Sequence, residues 1–208
     1  MKGRFWRGPA AGFLFRFVVI FGLLIAPWPG WNGVYGDYFR GLGEVAFSRD
    51  EGKRVVVFAP SEGGAVSQGL DTRMTLGNRD LTDGGGKGVV KRTDLDTRSI
   101  GWVPTALTMA LILATPIPWR RRGAALAGGL VLVHCFILFS LQAWIWDNSS
   151  DVSLMRLSGF WQEVAGELDY ALINQLGASF SVPVVIWILV TFRRQDAGKI
   201  GLGLQRRN

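Results

Sequence analysis

The only histidine and the only cysteine in the chain are neighbours, His134 and Cys135. A thiolate and an imidazole can act together as nucleophile and base, but their side chains must then face each other. Adjacent residues on a helix point about 100° apart. The surrounding residues are apolar. Ala124, Gly128, Cys135 and Gln142 fall on one helical face, so the pair reads as helix packing, with a partner or proton contact for His134 as the alternative. One cysteine excludes an internal disulfide, and one His with one Cys supplies no soft-metal set.

Other polar residues invite the same question. Glu163 and Glu167 lie one helical turn apart with Asp169 close by, as an acid–base pair would. Phe160, Trp161, Val164 and Leu168 alternate with them, and that pattern predicts an amphipathic interfacial helix rather than a catalytic pair. Asn174, Gln175, Ser179 and Ser181 follow. Asn174, Ala178 and Ser181 share a face and predict a hydrogen-bonded seam toward another helix or protein. Asn148-Ser149-Ser150 matches a short glycosylation pattern, and Gly84-Gly85-Gly86 lacks the Lys-Ser/Thr of a phosphate loop. No catalytic, cofactor-binding or metal-binding residue is assigned. The candidate packing or partner contacts are Gly128, His134, Cys135, Gln142, Asn174, Gln175 and Ser181.

These residues must be placed by the elements that carry them, and the main one is residues 119–146. It opens with Trp119-Arg120-Arg121-Arg122, continues without a charge over residues 123–146 and closes with Trp144 and Trp146. A helix rising about 1.5 Å per residue needs roughly 20 apolar residues to cross a bilayer. Arginines at one end and indoles at both suit the two interfaces. Three further apolar segments are predicted to span: residues 10–28, interrupted by Arg16; residues 102–118, ended by Pro116 and Pro118; and residues 171–192, kinked at Pro183. The first lacks the small residues of a cleavage site and is expected to remain as an anchor.

Residues 31–100 are polar and glycine-rich, with ten basic and ten acidic residues. Residues 54–59 (RVVVFA), the alternation of Thr72, Met74 and Leu76, and residues 89–93 predict three strands of a small antiparallel sheet. Residues 34–47 suggest a short helix, weakened by Gly36, Gly41 and Gly43.

The fold class expected is a mainly α membrane protein: four transmembrane helices and a β-rich exoplasmic insert between the first two. The segments are an arm and first helix over 1–30, the insert over 31–100, three helices over 101–194 with an exoplasmic loop at 147–170, and a basic tail over 195–208. The arm with Arg16, the arginine turn, and the tail with Arg193 and Arg194 hold twelve basic residues against one acid, Asp196. The positive-inside bias then places both termini and the arginine turn on the cytoplasmic side. The net charge of +7 does not point to nucleic acid, because the bases cluster beside apolar runs instead of on one polar face.

The order of parts resembles the small membrane proteins that accompany exosortases, in particular the exosortase H-associated type. The residues concerned are ATPIPWRRRGAALAGG and DYALINQLGASFSVPVVIW, the latter with Tyr170, Gln175-Leu176-Gly177, Pro183 and Trp187. The resemblance implies a non-enzymatic accessory or assembly protein of a bacterial inner membrane, in contact with the bilayer and with a membrane-embedded sorting peptidase, which would itself carry the Cys, Arg and His of catalysis. No cofactor is expected. The alternative is a small transporter or channel subunit, with His134, Gln142 and Asn174 along a path.

Overall fold

The computed structural model describes residues 9–48, 54–63, 66, 69–82, 88–149, 151–152, 159–170 and 176–192. In chain order the elements are α1 (Pro9–Ile25), α2 (Trp31–Phe47), β1 (Arg54–Pro60), β2 (Thr72–Thr82) and β3 (Gly88–Leu95). A five-residue π-helical turn (Arg98–Trp102) leads into α3 (Val103–Ala114), α4 (Trp119–Asn148), α5 (Gly159–Asp169) and α6 (Leu176–Thr191). The chain divides into two compact units, one of residues 1–26, 104–134 and 180–208, the other of residues 27–103 and 135–179.

The first unit is built around α3. Pro104, Thr105, Ala106, Leu107, Thr108, Ala110, Leu111, Ile112 and Ala114 are all buried, the signature of a helix enclosed on every side. Gly129 lets α4 approach it. A Cβ there would lie 2.7 Å from Ile112 Cδ1 and 3.2 Å from Thr108 Cγ2. The α6 helix joins through Trp187, whose indole N–H donates to Thr115 Oγ1 at 2.8 Å and whose ring stacks on Phe13 of α1 with centroids 5.8 Å apart. The arginine turn is bound into the unit: Arg122 donates to the Thr115 carbonyl at 3.0 Å and covers the Trp119 ring at 4.5 Å, while Arg121 donates to the Thr191 carbonyl. Hydroxyls in these apolar helices satisfy themselves locally, as Thr108 does on Pro104 O at 2.9 Å.

The second unit is a three-stranded antiparallel sheet, ordered β1-β2-β3, with helices on one face. Val56 stands opposite Leu76 and Phe58 opposite Met74. These side chains are buried while Val57, one residue away, is exposed, as the two-residue period of a strand requires. The core joins this face to Tyr35, Phe39 and Phe47 of α2 and to Ile137, Leu141, Trp144 and Ile145 of α4. Gly43 rests on the Phe58 ring, with the position of a Cβ only 2.7 Å from it. The Asp71 carboxylate pins the ends of the sheet together, accepting from the Thr97 N–H at 3.1 Å and its hydroxyl at 2.6 Å. Arg40 of α2 donates to Asp71 O at 3.3 Å and Thr72 Oγ1 at 3.1 Å, and pairs with Asp37.

The four-span fold expected from sequence is overturned. Among the described residues only α4, with 30 residues, is long and apolar enough to cross a membrane. The α1, α3 and α6 helices have 17, 12 and 16 residues, or about 25, 18 and 24 Å, against about 30 Å of hydrocarbon. Hydropathy counted apolar residues that prolines remove from the helices: α1 stops at Ile25 before Pro27, and α3 stops at Ala114 before Pro116 and Pro118. Both α3 and the C-terminal half of α4 also owe apolar residues to protein cores. The short helix read over residues 34–47 is there as α2, and it forms one wall of the sheet's core. The three strands themselves occupy the stretches read as strands.

Candidate functional site

His134 and Cys135 do not face each other as a dyad would. His134 Nδ1 lies 2.7 Å from the Leu130 carbonyl, one turn back on its own helix, and Cys135 is exposed. Gly128 is half-buried, with space for a Cβ 3.7 Å from Val190 Cγ1, and the tighter approach of α4 is made at the next residue, Gly129. Ala124 is exposed and Gln142 half-buried. In α6, Ser181 is exposed while Ser179 and Pro183 are buried. Asn174 and Gln175 lie outside the described residues, as do the triple glycine at 84–86 and Ser150 of the glycosylation pattern. Among the described residues no three His, Cys, Asp or Glu side chains converge as a metal site.

An open apolar cavity lies where α5 meets the end of α4. Trp146, Trp161, Val164, Ala165 and Leu168 line a cavity of about 370 Å³. The last four recur at helical spacing and so form one stripe of α5. Glu163 and Glu167 point away from it into solvent. Gln162 ties the helix down by donating to the Asp147 carbonyl at 2.9 Å, and Gly166 keeps the backbone bare beside the Asp147 carboxylate, 3.3 Å from the position of a Cβ. Trp146 and Trp161 remain 37% and 59% exposed, so the cavity has an aromatic mouth open to an incoming group. Cavities of this size and lining accept apolar side chains or small apolar molecules, with polar groups fixing orientation at the edge.

The charges nearby hold the sheet against this end of α4. Lys91 of β3 bonds Asp151 at 2.8 Å, and that hydrogen bond raises the ammonium above its ordinary value of 10.5. Asn78 of β2 donates to the Val152 carbonyl at 3.1 Å. On the opposite face of the sheet Arg73 pairs across strands with Asp94, whose carboxyl is held below 3.8 first by Arg73 and then by the Ser61 hydroxyl at 2.8 Å. This pair is structural, tying β2, β3 and the residue after β1 together.

The alternation around Trp161 marked α5 as amphipathic from sequence. That its apolar stripe meets Trp146 was not legible, because the two residues are joined only through tertiary packing. No protein family, curated protein or solved structure matches the chain.

Proposed function

We propose that this protein is a membrane-embedded, non-enzymatic accessory subunit that holds a partner of a protein-sorting or export system. The observation that carries the proposal is the outer surface of the helical unit. Leu14, Phe15, Val18, Val19 and Leu23 of α1, Val131 and Leu132 of α4, and Val184, Val185, Ile188 and Leu189 of α6 are exposed large apolar residues. Water does not tolerate so extended an apolar surface on a lone soluble protein, whereas lipid does. In this proposal the N-terminal half of α4, where Val131 and Leu132 are exposed, is the part that meets lipid, with its arginine end at the cytoplasmic face. The shorter apolar helices pack around it within the layer.

The accessory role draws support from the aromatic cavity. Among the described residues its lining is Trp146, Trp161, Val164, Ala165 and Leu168, an apolar socket that suits a partner's apolar side chain. The sorting-peptidase partner rests on the sequence resemblance. Washing membranes of cells producing the full chain with alkaline carbonate tests residence in the bilayer: retention in the pellet is expected, and release to the supernatant overturns it. Extraction in mild detergent tests the role, because a chain that always elutes as a lone monomer, without a membrane-embedded peptidase, defeats it.

A further inference from the structure

The sheet has two outer strands, and they are protected very differently. β3 carries Lys91 on the core-facing side, bonded to Asp151, and exposed Arg92 on the other. An inward-pointing charge on an edge strand discourages further strand pairing. The residues of β1 between Arg54 and Pro60 are Val55-Val56-Val57-Phe58-Ala59, without a charge. Its only hydrogen-bonded neighbour among the described residues is β2. Alternate residues of β1 therefore turn their N–H and C=O groups away from the sheet.

Beside that edge is a groove of about 550 Å³ lined by Val55, Val56 and Val57 of β1 and by Glu44, Val45 and Ser48 at the end of α2 and just beyond it. Val45 is 80% and Val57 46% exposed, and among the described residues Glu44 is the one charged member of the lining. A strand forms the floor and a helix end one wall, and among the described residues no second strand pairs with the outer edge of the floor. We infer that this groove binds an extended peptide segment of another protein by adding it as a strand along β1. The segment lays apolar side chains at alternate positions on the helix side, over Val45, with its intervening residues on the other face beside Val57 and a Lys or Arg opposite Glu44. Main-chain bonds supply the affinity and the two walls the selectivity. The inference is independent of membrane residence.

The test uses the full chain in detergent micelles and fluorescence anisotropy of labelled hexapeptides. The panel is KVTVTV, its Ile, Leu and Phe analogues, EVTVTV, and KVTVTV with alternate backbone amides N-methylated. Saturable binding of at least one apolar Lys peptide is expected. Removing two or three ladder donors weakens it by about tenfold or more, since each bond contributes roughly 0.5–1.5 kcal/mol. Val57→Lys, which puts a charge on the exposed edge, and Val45→Lys, on the opposite wall, each reduce binding by about tenfold with the thermal midpoint unchanged. Glu44→Gln narrows the preference for the Lys over the Glu peptide by up to about fivefold, as a surface ion pair allows. Equal binding of the methylated peptide overturns the inference, and so does failure of the whole panel to saturate at millimolar concentration. Self-association of the chain that Val57→Lys abolishes also overturns it, by making a second copy the occupant.

Discussion

Two glycines of α2, two residues apart, have opposite reasons to be there. Gly41 faces open space, with nothing within 4 Å of a Cβ position, whereas at Gly43 a Cβ would enter the Phe58 ring at 2.7–2.8 Å. Gly41→Ala should raise stability by about 0.5–1 kcal/mol through helix propensity. At Gly43→Ala the same gain is outweighed by overpacking of about 1–3 kcal/mol against a ring held in the core, so the midpoint should fall. Thermal unfolding of the two variants checks the signs. Asp94 gives a prediction with pH. Its folded value is depressed by Arg73 and Ser61, so its contribution is fully present above the ordinary 3.8 and is lost as the pH falls below that through the folded value. Asp94→Asn should lower stability at neutral pH and flatten its decline on acidification, measured by denaturant titrations at a series of pH values.

At the scale of elements, α4 does two jobs in succession. Its C-terminal half supplies Ile137, Leu141 and Ile145 to the core beneath the sheet, all at most 1% exposed. Leu141→Ala should therefore cost about 2–5 kcal/mol, while Val131→Ala, 63% exposed, should change stability by less than about 0.5 kcal/mol in detergent. A comparable loss at both positions would mean that the helix is packed alike along its length. On α5, Trp161 projects at the cavity mouth, largely exposed. Trp161→Ala should leave the melting temperature nearly unchanged yet weaken partner capture by about thirtyfold or more, as an aromatic anchor does. Unimpaired capture would remove the cavity from the partner interface. The glycines that made α2 a weak helix by propensity are explained at this scale too: Gly36 makes room for Arg40 and Asp71, Gly43 for Phe58.

Across the molecule, apolar residues fall in two settings. Some apolar residues are enclosed by protein, as throughout α3, while others on α1, α4 and α6 face outward in stripes. A hydropathy profile sums both kinds and cannot separate a core helix from a lipid-facing one. Length is what leaves one helix of spanning size among the four apolar runs, and prolines cut short the first two. In flotation on a density gradient, the full chain with lipid vesicles should rise to the top fraction. A chain with Leu14, Val18, Val184 and Ile188 all replaced by Ser should stay at the bottom if those stripes are what meets lipid.

Local order was the sequence's own contribution. The β-branched run at Val55-Val56-Val57, the alternation around Met74 and the amphipathic pattern around Trp161 each determine an element, because strand and helix periods are properties of a few consecutive residues. The same locality kept His134-Cys135 from being an active-site pair, since neighbouring helical side chains diverge whatever the fold. Which apolar surfaces would be enclosed was decided only in tertiary structure. Gly129 over Ile112, Phe58 under Gly43 and Trp146 beside Trp161 are contacts between distant residues, and burial is a property of what packs against a side chain. The open edge of β1 belongs with these, for a strand's sequence does not reveal whether a neighbour will lie on its far side.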